Sequence, residues 1–200
     1  PNNMVGGVIA GARNVISGNK NGVSIEGGPA TGNVVQGNFI GTDVTGTAPL
    51  GNSGIGVYIN GSGNTVGGVT AGAGNVISGN GTDGLIVAGV FVTGDPVPGG
   101  ATGNVVQGNL IGTDAGGTAA IGNGGNGVLL KAAPNGTVGG TAPDAWNTIA
   151  FNGGDGVFVQ SGTSTSILSN SIFSNSGLGI DLAPDGVTAN DTRRPRHRGQ

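Results

Sequence analysis

The sequence predicts an all-β chain wound as a parallel β-helix of six coils, each coil carrying three short strands. Three observations predict it. The triplet Asn-x-Ile recurs six times, at Asn14/Ile16, Asn38/Ile40, Asn75/Ile77, Asn109/Ile111, Asn147/Ile149 and Asn170/Ile172. The stretch GNVVQGNFIGTD at 32–43 returns with one letter changed as GNVVQGNLIGTD at 103–114. Gly makes up 47 of the 200 residues, and the 3.6-residue apolar period of an amphipathic helix is missing, so helices find no support.

The Asn-x-Ile triplets define a first face. Downstream of each comes a Gly followed by alternating apolar residues, a second face: Gly22 with Val23 and Ile25, Gly56 with Val57 and Ile59, Gly84 with Leu85 and Val87, Gly127 with Val128 and Leu130, Gly156 with Val157 and Val159, Gly179 with Ile180 and Leu182. Upstream lies a third column, Val5, Val35, Val66, Val106, Val138 and Leu168. Short period-2 strands broken by Gly and Asn cannot bury an apolar face alone, but stacking like on like builds a continuous core. At about 4.8 Å per coil, six coils make a prism about 30 Å long. A β-sandwich with regular turn signals is the structural alternative; it leaves the Ile column unexplained. The twelve-residue copy then marks one junction, third-face strand into first-face strand, met again two coils later. Odd coils insert a loop before Asn-x-Ile (VGGVTAGAGN) and even coils insert one after it (GTDVTGTAPLGN, GTDAGGTAAIGN), so the repeating unit is a pair of coils.

Composition excludes several classes. An apolar share of 35% is unlike the signature of disorder, Gly-X-Y periodicity is absent, and no apolar run approaches the roughly 18 residues of a membrane helix, which predicts a soluble chain with no membrane insertion. No signal-peptide pattern opens the sequence, and PNNMVGG begins in mid-pattern, which reads as a piece of a longer protein with residues 1–192 as a single β-helix domain. Cys is absent, which removes disulfides and thiolate metal sites. The single His, His197, and four of seven basic residues crowd into RRPRHRGQ at 193–200, read as a basic disordered tail. Residues 1–192 therefore carry Arg13, Lys20 and Lys131 against ten acids, a net charge of −7, unsuited to a nucleic-acid partner.

Five residues past each first-column Asn stands a second column, Asn19, Asp43, Asn80, Asp114, Asn152 and Asn175. Stacked amides can hydrogen-bond from coil to coil, and Asn tolerates bends, so both columns read as structural ladders. Asp43 and Asp114 also admit two chemical readings. Two carboxylates two coils apart fall near the spacing of an inverting glycosidase, and either acid with loop carbonyls could hold calcium; otherwise the residues imply no cofactor. The nonapeptide calcium repeat fails, with Phe158 where its Asp should be. Outward positions give another hint. The second face presents Ser24, Tyr58, Ile86, Leu129, Phe158 and Asp181, and the first face Val15, Phe39, Val76, Leu110, Thr148 and Ser171. Apolar groups on both sides of a strand are normally covered on both sides. Either the inserted loops, including 88–103, fold over these stripes, or Tyr58, Ile86, Leu129, Phe158 and Phe39 are candidate contacts for another chain or for sugar rings.

GNVISGN, GNxIGTDxTGT, NTVGG and the closing NSIFSNSGLGIDLAPDGVTAND resemble the right-handed parallel β-helix repeat proteins of bacterial secreted and surface type, over residues 1 to about 192. The resemblance implies an extracellular or cell-surface repeat module, distantly similar in architecture to pectate lyases and polygalacturonases. Catalytic residues do not carry over: the body has no Asp-Asp pair and no His, and RRPR lies beyond the last coil. Three functions follow as expectations: a noncatalytic structural or adhesive module; a β-helix that binds or cleaves polysaccharide; and a fibre subunit that associates end to end.

Overall fold

The computed structural model describes residues 1–27, 30–81, 88–93 and 101–182. Six coils each contribute three strands. Coil 1 holds β1 (Met4–Gly6), β2 (Val15–Ile16) and β3 (Val23–Glu26), and coil 2 holds β4 (Val34–Gln36), β5 (Phe39–Ile40) and β6 (Val57–Asn60). Coil 3 holds β7 (Thr65–Gly67), β8 (Val76–Ile77) and β9 (Ala88–Thr93), and coil 4 holds β10 (Val105–Gln107), β11 (Leu110–Ile111) and β12 (Asn126–Lys131). Coil 5 holds β13 (Thr137–Gly139), β14 (Thr148–Ala150) and β15 (Val157–Val159), and coil 6 holds β16 (Ser166–Leu168), β17 (Ser171–Phe173) and β18 (Ile180–Asp181). Every third strand pairs with the last in parallel, giving three six-stranded sheets. The chain is a parallel β-helix.

The first-face column holds in every coil. Ile16, Ile40, Ile77, Ile111, Ile149 and Ile172 are successive register partners, and the four middle ones are fully buried. They meet the valines of the other two faces in one continuous apolar core. Two columns need correction. In coil 6 the partner of Val138 is Ile167, whereas Leu168 pairs with Gly139 and is 40% exposed. In coil 3 the second-face strand is Ala88–Thr93, with Val90 and Val92 in register with Val57 and Ile59 on one side and Val128 and Leu130 on the other. Leu85, Val87 and Ile86 lie outside the described residues, as do positions 94–100 of the loop expected at 88–103 and the tail at 193–200.

The polar interior is a set of amide ladders. Of fifteen buried polar residues among those described, eleven are Asn, so the coil corners are where polarity enters the core. The expected first ladder, Asn14, Asn38, Asn75, Asn109, Asn147 and Asn170, is continuous through Nδ2 to Oδ1 bonds of 2.8–3.0 Å. The second ladder runs Asn19, Asn52, Asn80, Asn123, Asn152 and Asn175. Asp43 and Asp114 are not in it. The even coils insert their loop between the Ile and the next corner, so the ladder resumes at Asn52 and Asn123 on the far side of that loop. A third ladder, unforeseen in the sequence, joins Asn3, Asn33, Asn64 and Asn104. Each bond satisfies amide groups that would otherwise be buried without partners.

Candidate functional site

The two families of inserted loops flank the same sheet. Before β2, β8 and β14 the chain reads GGVIAGARN (6–14), GGVTAGAGN (67–75) and GGTAPDAWN (139–147), one frame with the same turn three times. In that turn the Ala12, Ala73 and Ala145 amides donate to the carbonyls of Ile9, Thr70 and Ala142. A side chain on Gly7, Gly68 or Gly140 would meet the methyl of that Ala at 2.8, 2.8 and 3.0 Å, so the second Gly of the frame is what lets the loop close. Interleaved coils lock in between, Gly37 donating to Ala73 O and Gly108 to Ala145 O.

After β5 and β11 the other loops form miniature hairpins. Thr42 bridges Pro49 and Thr113 bridges Ala120, both antiparallel. Asp43 Oδ1 accepts the N–H groups of Thr47 (3.1 Å) and Ala48 (3.3 Å), and its carboxylate also accepts the Thr45 hydroxyl. Asp114 Oδ1 accepts those of Thr118 (2.8 Å) and Ala119 (2.9 Å). The Thr45 hydroxyl, helped by the loop N–H groups, holds the Asp43 carboxyl below its ordinary pKa of 3.8. The N–H groups of Ala119 and Thr118 do the same for Asp114. Both acids stay ionised as loop caps. Their oxygens face N–H and O–H donors, the surroundings of a bound anion rather than of an acid waiting to give up a proton. Ala115 N–H donates to Gly46 O at 2.9 Å, so the two hairpins are tied to each other across coil 3.

Together the loops cover most of the first face. Phe39 is 6% exposed, under Gly46 on one side and the Arg13 guanidinium, 4.0 Å from its ring centre, on the other. Val76 and Thr148 are buried and Leu110 is half-buried. Between the loop rows remains a trough in two connected parts. A groove of about 540 Å³ runs from Arg13 and Thr45 over Phe39 and Val76 to Leu110. A cleft of about 310 Å³ continues past Leu110 to Asp144 and Trp146. Gly72, Gly74 and Gly108 line both. Trp146, the chain's one tryptophan, is 48% exposed; sequence reasoning passed over it because a lone loop aromatic has no period to reveal it.

The second-face stripe is a separate place. Leu129 is buried against Ile55, Tyr58 and Phe158. Phe91, not Ile86, is the register partner of Tyr58 and Leu129. Phe39 thus lies on a different sheet from Tyr58, Leu129 and Phe158, and the structure does not bring the five candidates together. Among the described residues no three His, Cys, Asp or Glu side chains gather as metal ligands, and no helix is long and apolar enough to cross a membrane.

Comparison with known proteins returned no matching family model, no matching curated protein and no matching solved structure.

Proposed function

We propose that the chain is a noncatalytic structural and adhesive module of an extracellular protein of the bacterial secreted or surface type. The observation that carries this reading is the state of Asp43 and Asp114. General acid–base chemistry needs a carboxyl whose pKa is raised toward the working pH, and in a glycosidase one acid of the pair must be so raised. Both acids here are pushed the other way, each by hydrogen bonds that close its own hairpin. Of the fifteen buried polar residues among those described, the eleven Asn are committed to the ladders. What such a chain offers a partner is a rigid surface with loops in fixed rows.

The test is turnover. Native protein and an Asp43→Asn/Asp114→Asn double variant are incubated with polygalacturonate, xylan, chitin and starch, with calcium and with chelator. No release of reducing ends or unsaturated products is expected, and the melting temperature should not move with chelation. Product formation by the native protein that the double variant loses would establish a polysaccharide-cleaving β-helix instead.

A further inference from the structure

The three loops 6–14, 67–75 and 139–147 repeat one frame, Gly-Gly followed by four residues, Ala, one residue and the ladder Asn. The residue between Ala and Asn is Arg13 in coil 1, Gly74 in coil 3 and Trp146 in coil 5. The frame is explained by the fold, and so is Arg13, whose Nε donates to Gly37 O at 3.2 Å and whose guanidinium lies over the Phe39 ring; the indole of Trp146 is not. Trp146 belongs to neither apolar cluster, and leaving an indole half in water has no packing benefit. All three residues line the trough, Arg13 at one end, Trp146 at the other, and Gly74 in the middle, where a side chain would run into Gly108 O.

We propose that this trough is a binding cleft for a neutral glycan chain, with Trp146 as the platform on which a sugar ring stacks and Arg13 as the contact at the far end. The proposal rests on the adhesive reading and gives that function a place. Four coil steps separate the two residues, about 19 Å at the spacing of paired strands, the length of an oligosaccharide rather than of one sugar. A half-exposed indole beside polar groups suits a pyranose, whose C–H face stacks while its hydroxyls find partners at the rim. Rim partners are present as Thr45, Thr70 and Asp144. The charge balance selects a neutral chain: one cation, Arg13, and one anion, Asp144, stand at opposite ends. A residue 1–192 charge of −7 further disfavours acidic polysaccharides. An extended peptide is the poorer occupant. Strands β5, β8 and β11 on the floor each have parallel neighbours on both sides, so no edge is open for an added strand.

Trp146 is the only tryptophan, so its fluorescence reports from the site itself. The experiment titrates the native protein, Trp146→Ala and Arg13→Ala with cellohexaose, xylohexaose, chitohexaose and maltohexaose, and with the matching disaccharides. Fluorescence is read where the indole remains, and binding calorimetry is used for all three proteins. A saturable blue shift with at least one hexasaccharide is expected. Affinity should fall about tenfold or more in Trp146→Ala, as loss of a stacked ring would give, with melting unchanged because the indole is outside the core. Arg13→Ala should weaken the hexasaccharide and leave the disaccharide alone. Hexasaccharide binding that is undiminished in Trp146→Ala overturns the cleft while leaving an adhesive module standing. A folded native protein that binds none of the sugars also overturns the cleft. If that protein in addition fails to adhere to any surface of a broad glycan and matrix array, the adhesive reading falls with it.

Discussion

Asn80 reaches the same oxygen twice: its Nδ2 lies 2.9 Å and its backbone N 3.0 Å from Asn123 Oδ1. Its own Oδ1 accepts the matching pair from Asn52. The Asn-to-Asn bonds are therefore directional, each running toward the C-terminal coil, while Asn80 Nδ2 also donates back to Ile40 O of the preceding coil; each interior Asn is both donor and acceptor to its neighbours. Asn80→Ala strands buried groups on both sides. Each unsatisfied buried group costs about 1–3 kcal/mol, so a loss of at least about 2 kcal/mol in urea unfolding is expected. Asn80→Asp should be no better, because a carboxylate keeps the acceptor and removes the donor. A loss no larger than that of an exposed control, Thr141→Ala, would mean the ladder is ornamental.

The Ile column should dominate the apolar side of stability. Ile77 and Ile111 are fully buried and contact one another in register. Truncating either to Ala should cost about 2–5 kcal/mol, the range for a large core aliphatic whose cavity cannot collapse. Denaturant midpoints at unchanged slope measure it. Because the two residues touch, the double variant should depart from additivity.

Legibility in the sequence followed the spacing. The Ile column was readable because each Ile sits two residues past its corner Asn, and no loop intervenes. The second ladder was misread at Asp43 and Asp114 because counting five residues onward steps into the hairpin, whose length the count ignores. In coil 6 the spacing favours Ile167 over Leu168, since Val35 and Val106 both stand three residues before their Asn, as Ile167 does. In coil 3 two Gly-led segments compete. Gly89-Val90-Phe91-Val92 matches Gly56-Val57-Tyr58-Ile59 and Gly156-Val157-Phe158-Val159 more closely than Gly84-Leu85-Ile86-Val87 does. The trough was not legible, since it arises from loops of alternate coils that meet only when the coils are stacked.

The hairpin caps predict an acid limb. A carboxyl whose folded pKa lies below its unfolded value stabilises the fold above the unfolded value, and that stability is lost as pH falls through the folded one. Asp43 and Asp114 are both lowered from 3.8. Their contribution should be complete above about pH 4 and fade below it. NMR titration of the two carboxyls should place both below 3.8, and Asp114→Ala should free the 113–120 hairpin for faster amide exchange at Thr118 and Ala119. A carboxyl titrating at or above 3.8 would remove it from the cap role.

Many of the corners that precede a ladder Asn are held at positive φ, and most of those are Gly. Gly37, Gly79 and Gly108 precede Asn38, Asn80 and Asn109 at φ near +70°. The last coil departs from this: Ser174, at φ +53°, precedes Asn175. An L side chain in the left-handed region costs about 1–2 kcal/mol, which Gly escapes at some loss of chain entropy. Ser174→Gly should therefore stabilise by up to about 1 kcal/mol, seen as a raised denaturant midpoint. Phe151, at φ +63° before Asn152, is the internal comparison. Its ring meets Phe173 edge to face with centroids 5.6 Å apart, so Phe151→Gly relieves the same backbone strain but gives up an aromatic contact, and should gain less than Ser174→Gly or lose outright. If both substitutions destabilise equally, backbone conformation is not what selects Gly at these corners.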